Sequence, residues 1–268
     1  MQQTHLKTVP VIQIQHGQAT QTHRTIIDED ILKIVVNGAP SFEFVFSKGR
    51  EKELAVGFLF TQGVIETPGD ILEVEFDPVS NQCAMILTPE AESRLTRTQK
   101  MVRGSSGGTL TGFQQAECSG DHKTPFLMPE QVSRLMDLHF KHSTLYQQTR
   151  AAHSAGLTDG TQLLSFFEDI GRHNALDKLA GHILLNKTEV SDKAVTLSCR
   201  MSLEIIEKII CTGIPVVVSK AVPTLSALKL AEKHHTTIVS TAPNNTIHIY
   251  TCPDRILSSG NRAYSSES

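Results

Sequence analysis

Glu168, Asp169, Arg172, His173 and Asn174 fall within seven consecutive residues. Two carboxylates and an imidazole can hold or move protons, and an arginine fork can grip a carboxylate or phosphate. An apolar run, Leu163 to Phe167, precedes the cluster and reads as a buried strand. Leu176, Leu179, Ala180, Ile183 and Leu184 follow at helical spacing, so the cluster sits where a strand ends and a helix begins. Asn174 is the expected N-cap of a helix over 175–186, with Asp177 as an acid in its first turn. Open α/β sheets place ligands at such junctions, because the strand ends and the helix dipole both point there. The plainer reading, a capped loop with surface ion pairs, stands beside it.

Two further junctions repeat the pattern. Strands are expected at Ala194 to Ser198, Ile214 to Ser219 and Thr237 to Thr241, with helices at Ser202 to Thr212 and Leu225 to Lys233. The chain then turns through Pro243, Asn244 and Asn245 into a last, antiparallel strand, Thr246 to Thr251. Alternating strands and helices predict an α/β fold with a mostly parallel sheet, whose strand-to-helix turns open on one edge. That edge would gather Arg172, then Ser198, Cys199, Arg200 and Ser202, then Ser219, Lys220, Pro223 and Thr224. Each turn brings one cation, hydroxyl groups and a helix N-terminus, a combination suited to a ligand with several phosphates. Serine and threonine are also ordinary N-caps, so no single turn carries this reading alone.

The N-terminal half is less regular. Ile31–Val36 and Phe42–Phe46 read as a hairpin with a five-residue loop, followed by a helix over 51–62 ended by Gly63. Strands are expected at 71–76 and 82–87, and a helix from Pro129 to about Tyr146. Between Glu90 and Pro129 the periodicity fails, and Gly104 to Thr109 reads as flexible loop. This divides the chain into an N-terminal α+β portion (1–128, with a flexible stretch at 103–125), an α/β core (129–256) and a disordered serine-rich tail (257–268).

Bulk properties narrow the classes. With 268 residues the chain can bury a full core, and a net charge of −3 gives no global pull toward nucleic acid. No 18-residue apolar run exists to span a membrane, and Met1 to Lys7 lacks a signal core, so a cytoplasmic protein is expected. The five cysteines, Cys83, Cys118, Cys199, Cys211 and Cys252, are odd in number and widely spaced. They suggest neither a disulfide framework nor a zinc site, and no protein-bound metal is expected. Cys118 falls in the flexible stretch, and Cys199 sits beside Arg200 at a helix start, a setting that favours a thiolate.

The run Glu168-Asp-Ile-Gly-Arg-His-Asn-Ala-Leu-Asp-Lys178 closely resembles the central motif of the FdhD family, the formate dehydrogenase accessory sulfurtransferases. Val36-Asn37-Gly38, Gly57-Phe58-Leu59, His153, Arg200 to Glu204 with Lys208, Gly213 to Pro215, and Tyr250 to Arg255 extend the likeness. The resemblance implies a core like that of cytidine deaminases, an α/β/α sandwich without their zinc, plus a smaller N-terminal β-rich portion, paired as a homodimer. It implies transfer of sulfur from a cysteine desulfurase to the molybdenum cofactor, bis-molybdopterin guanine dinucleotide, before that cofactor enters formate dehydrogenase. The family's cofactor-contacting loop falls here on Ser240, Thr241, Ala242, Pro243, Asn244 and Asn245. With Glu168, Arg172, His173, Asn174, Arg200, Ser202, Lys220 and Thr224 these are the expected cofactor-binding residues.

The chain departs from the family pattern where the sulfur would ride. The family's glycine-rich loop carries cysteines; the matching stretch here, Gly104 to Gly108, has Ser105 and Ser106 instead. A hydroxyl does not hold a persulfide, which makes Cys118 the candidate thiol. The cofactor loop also lacks the family's arginine. Two alternatives follow: a cofactor-binding delivery protein without sulfur transfer, and a nucleotide hydrolase or deaminase using Glu168 and His173 as acid and base.

Overall fold

The computed structural model describes residues 6–98 and 127–256, so Ser105, Ser106, Cys118, the 103–125 stretch and the 257–268 tail lie outside the described residues. Twelve strands and seven α-helices build three sheets among the described residues. The largest has six strands in the order β12-β11-β10-β9-β7-β8: β7 His153–Thr158, β8 Leu163–Asp169, β9 Ala194–Leu197, β10 Val216–Ser219, β11 Thr237–Ala242 and β12 Thr246–Ile249.

Fully apolar strands such as Val216-Val-Val218 mark a sheet covered on both faces. Val217, Val195 and Ile238 point to one side, into a core shared with α5 (Arg172–Leu185), α6 (Leu203–Thr212) and α7 (Leu225–Lys233). Val216, Val218 and Val239 point to the other, against α3 (Pro129–His142). This is the expected α/β/α sandwich. The crossovers through α6 and α7 join neighbouring parallel strands and so lie on the same face.

The sheet is less parallel than the sequence predicts. β9, β10 and β11 are parallel, but β7 runs against both β8 and β9, and β12 runs against β11. The cause is the tight turn at 159–162. There the Asp159 carboxylate accepts the N–H groups of Thr161 and Gln162 at 2.8 and 3.0 Å, and so short a link joins only antiparallel strands. β7 itself, with the small residues Ser154, Ala155 and Gly156, carries too little apolar signal to be read from sequence. β8, β9, β10 and β11 still point the same way, so their C-terminal ends share one edge with the start of β7.

A second sheet, β4-β3-β6-β5, is formed by β3 Asp30–Val36, β4 Ala39–Phe46, β5 Ile71–Asp77 and β6 Gln82–Leu87. Its buried face packs on α1 (Glu51–Thr61), through Leu32, Ile34, Phe46, Leu54 and Phe58. β3 and β4 are joined by two residues, Asn37 and Gly38, not the expected five. Both have positive φ, 51° and 79°, as a tight Asn-Gly hairpin turn requires, and Pro40 pairs within β4 on the sheet's edge. A two-stranded hairpin, β1 Leu6–Gln15 with β2 Gln18–Ile27, precedes this sheet. Helix α2 (Pro89–Thr98) lies where the sequence pattern fails.

Helices α1 and α5 hold the two larger sheets together. A Cβ on Gly57 would lie 1.8 Å from the Asp177 carbonyl oxygen, and one on Gly181 would lie 1.9 Å from that of Glu53. Only glycine at both positions lets the two backbones touch.

Candidate functional site

The motif that opens α5 divides into residues turned inward and residues left at the edge. The helix starts at Arg172 with Gly171 as its N-cap, so Asn174 is not the cap. Its side-chain amide instead donates to the Val45 carbonyl at 2.8 Å and to Asp169 Oδ1 at 2.9 Å. Asp169 is buried and also accepts the N–H groups of Ser47 and Gly171 at 3.2 and 2.9 Å. Lys178, likewise buried, lies 2.7 Å from Asp169 Oδ2 and donates to the Ser47 and Glu168 carbonyls at 2.8 and 3.1 Å. One turn on, Asp177 accepts from Lys208 at 2.7 and 2.8 Å and from the Thr61 hydroxyl at 2.7 Å. Buried charges persist only when paired and fully hydrogen-bonded, and these two lysine–aspartate pairs meet both conditions. The partners of these pairs on Ser47 and Thr61, and that of Asn174 on Val45, belong to the N-terminal portion, so half of the motif ties the two sheets together.

Glu168 is engaged as well. Its carboxylate accepts the N–H groups of Leu145 and Tyr146 at 2.9 and 3.0 Å and the Thr144 hydroxyl at 3.3 Å. It thereby caps the start of α4 (Thr144–Thr149), which leaves it little capacity for a ligand.

What remains faces the shared edge. Arg172 is half-buried and its Nε has no hydrogen-bond partner. Burial holds His153, at the start of β7, below its ordinary pKa, and the Arg172 charge adds to that effect. His173 is buried with Nε2 3.1 Å from the Glu204 carboxylate. Arg200 is exposed. Ser202 is the N-cap of α6 without a side-chain cap bond, and its buried hydroxyl has no partner. Thr224 caps α7, accepting the Ala227 N–H at 3.3 Å. Arg172 and Arg200 both act on Cys199, and β7 stands between the first turn and the other two.

Lys220 opens on different ground. It lines a cavity of about 370 Å³ together with Ser133 and Asp137 of α3 and with Thr241, Ala242, Pro243, Asn244 and Asn245. Arg172 and Arg200 are not among that lining, so the three cations do not enclose one pocket of this size. A second hollow of about 350 Å³ continues along α3 past Ser133, Asp137 and Asn245 to Glu130 and Arg134. Ser240 is not in either lining; it is buried, with its hydroxyl 3.2 Å from that of Tyr250. The Thr241 and Ser133 hydroxyls are buried without hydrogen-bond partners, unusual for a protein interior and ordinary for a ligand site. Sequence reasoning missed Ser133 and Asp137: polar residues on the outer side of an amphipathic helix look like any solvated face.

Burial disfavours the thiolate at three of the four described cysteines. Burial pushes the Cys199 thiol up to about 11 despite the two arginines, and the Cys83 thiol up to about 12. Cys252 is raised for the same reason, and Cys211 donates to the Thr61 carbonyl at 3.6 Å. A thiolate at Cys199, which the neighbouring arginine suggests, is therefore disfavoured by its own burial. Among the described residues no group of three or more His, Cys, Asp or Glu is placed to hold a metal ion, and no helix is long and apolar enough to cross a membrane.

The family model FdhD/NarQ matches residues 27–257. The chain belongs to the FdhD/NarQ family. Within it, the Sulfur carrier protein FdhD of Staphylococcus haemolyticus is 32% identical over 250 residues, covering 92% of this chain and 95% of the relative. That of Bacillus subtilis is 32% identical over 247 residues, covering 90% and 94%. The fold is shared with a crystal structure from Desulfotalea psychrophila, provisionally described as a formate dehydrogenase accessory protein. Its TM-score is 0.75 at 23% identity, over 94% of this chain and 99% of that one. For an FdhD/NarQ chain, the buried pairs around α5 explain why the central motif is rich in charge without all of it being chemistry.

Proposed function

We propose that this chain is a formate dehydrogenase accessory protein that binds the guanine-dinucleotide form of the molybdenum cofactor and presents it for sulfuration and insertion. The observation that carries this reading is the likeness, over nine-tenths of the chain, to relatives named sulfur carrier proteins. The residues at the sheet edge fit such a ligand: unpartnered hydroxyls on Thr241, Ser133 and Ser202, an unpartnered Arg172 Nε, and the cations Arg200 and Lys220. When bound, the cofactor supplies the molybdenum–dithiolene centre and two pyrophosphates. Arg172, Arg200 and the N-termini of α6 and α7 would neutralise phosphate, while Lys220, Ser240, Thr241, Ala242, Pro243, Asn244 and Asn245 would hold a ring. Glu168 and Asn174 would act on the ligand only through the elements they fix.

Sulfur enters as the terminal atom of a desulfurase persulfide. It passes to an acceptor thiolate, and the donor leaves as its own thiolate. Cys118 is the acceptor in this reading, since burial raises the thiols of Cys83, Cys199 and Cys252 and the Cys211 thiol donates to the Thr61 carbonyl. Incubating the protein with a cysteine desulfurase and radiolabelled cysteine tests this: label on the wild type, absent from Cys118→Ala, is the expected result. The raised thiols of Cys83, Cys199 and Cys252 favour a second reading, a carrier that binds and delivers the cofactor without transferring sulfur. No label on any cysteine, with guanine-nucleotide binding intact, would select it.

A further inference from the structure

We infer that Cys199 and His153 form a second thiol site, in which His153 takes the Cys199 proton and the thiolate accepts sulfur from a low-molecular-weight persulfide. This rests on the sulfur-handling part of the reading above and adds an entry point that a protein-borne donor does not use.

The sheet register sets the two side chains together. β7 and β9 pair with Ala155 opposite Leu197 and Gly156 opposite Thr196. Past the end of β9, Ser154 keeps up the pairing: its carbonyl accepts the Ser198 N–H at 3.1 Å, and its N–H donates to the Ser198 hydroxyl at 2.8 Å. One step further, the same register sets His153 opposite Cys199. On its other side His153 pairs directly with Asp169 of β8. Ala155, Leu157, Leu197 and Cys199 pack into the core shared with α5, as does Phe167 of β8. Alternation along each strand therefore puts Asp169, His153 and Cys199 on that one face. Residues opposed across antiparallel strands have Cβ atoms roughly 4.5–5.5 Å apart. The row runs across three strands beside Arg172, the first residue of α5, whose charge acts on both His153 and Cys199.

Two members of this group are not spent on the fold. Asp169 gives its oxygens to Ser47, Gly171, Asn174 and Lys178, so it bears on His153 through charge alone. The His153 ring makes no hydrogen bond among the described residues, and Arg172 Nε has no partner. Cys199 is 5% exposed, and its buried thiol, up at about 11, rests protonated. Such a thiol is a weak nucleophile until a base takes its proton. His153, held below its ordinary pKa by burial and by Arg172, is neutral at neutral pH and able to accept that proton. Arg172 then faces the thiolate, and afterwards the persulfide anion, with a positive charge.

In the step itself the Cys199 proton moves to His153 and the thiolate attacks the terminal sulfur of the incoming persulfide. The donor's S–S bond breaks and the donor leaves as its own thiolate, while Cys199 keeps the sulfur as a persulfide; no oxidant or reductant is consumed. The depth of Cys199 excludes a thiol carried on a protein surface, and half-buried His153 leaves a small donor an approach from the sheet edge.

Incubating the full chain with glutathione persulfide labelled in its terminal sulfur, then alkylating, digesting and mapping the label by mass spectrometry, tests the inference. Label should appear on the Cys199 peptide and be lost from it in Cys199→Ser, an arm that does not depend on replacing His153. In His153→Gln it should arrive at least ~10-fold more slowly at pH 7, within the range of acid–base catalysis. The wild-type rate should level off above the pH at which the imidazole is neutral, whereas the His153→Gln rate should keep climbing as the thiol itself ionises. Imidazole added to His153→Ala should restore part of the rate, which it would not do for a merely structural histidine. Label on Cys118 without Cys199, or equal rates and pH profiles in wild type and His153→Gln, would overturn the inference and leave sulfur entry at Cys118 standing. No label on any cysteine, from glutathione persulfide or from a desulfurase, would remove this inference and the sulfur-transfer reading together.

Discussion

Two clusters of basic side chains in this protein do opposite work. Around α5, Lys178 and Lys208 are enclosed, each within 2.8 Å of an aspartate oxygen and each donating to further oxygens beside it. At the sheet edge, Lys220 and Arg200 are open, and the hydroxyls beside them have no partners. The difference lies in what surrounds them. Between two packed layers an unpaired charge is prohibitive, so pairing is complete and the cluster fixes geometry. At the ends of strands, water satisfies the charge until a ligand replaces it, so pairing is left incomplete.

The sharpest way to break the comparison is to remove one partner from the buried cluster. Asp177→Ala should destabilise the fold by ~3–5 kcal/mol, because it strands a buried ammonium, and denaturant unfolding would show it. A loss below about 1 kcal/mol would mean that the α1–α5 joint tolerates an unpaired charge and that the two regions differ less than the geometry says.

At the open edge the same removal should spare stability and cost affinity. Arg172→Ala and Arg200→Ala should each weaken a guanine-nucleotide ligand by ~1.5–3 kcal/mol, with unfolding midpoints little changed. If calorimetry finds neither substitution altering nucleotide binding, the edge is not a phosphate site.

A third buried polar group sharpens the point without a salt bridge. The ring of His139 is hydrogen-bonded through Nδ1 to Thr196 and through Nε2 to Ser154, both at 2.8 Å. Burial lowers its pKa from 6.5 to about 3. Below pH 6.5 the unfolded chain takes up a proton that the native ring refuses. Stability contributed by the neutral ring is therefore complete above that pH and lost progressively as pH falls toward 3, with a slope of at most ~1.4 kcal/mol per unit. His139→Gln should flatten that part of the stability–pH profile; an unchanged acid limb would reject the assignment.

The smallest effect expected is at Thr224, whose hydroxyl caps α7. Thr224→Ala should cost ~1 kcal/mol of stability, read as a lower melting temperature, and a change within error would leave the cap without thermodynamic weight.

Much of the frame was legible along the chain. Helix α1, expected over 51–62, occupies Glu51–Thr61, and α7 is found as expected at Leu225–Lys233. In these segments local periodicity and burial agree. The errors share one cause. Asn174 looks like an N-cap, but Val45 and Asp169 claim its amide, and the helix starts at Arg172 instead. β7 has small residues, Ser154 to Gly156, at its middle, and its strand character comes from being sandwiched between β8 and β9. Asp137 has no distinguishing neighbours in sequence; α3 brings it to Lys220, eighty-three positions along the chain.

By itself, the sequence determined the alternation of strand and helix, the apolar faces, the density of charge after β8 and the family to which those residues belong. These depend on residues within a few turns of each other, where periodicity and motif are written directly. Only the tertiary structure decided which charges are enclosed and which are open. Whether Lys178, Lys208 and Lys220 meet aspartates in the interior or at a cavity wall depends on partners 9, 31 and 83 residues away, and on how much water those partners exclude.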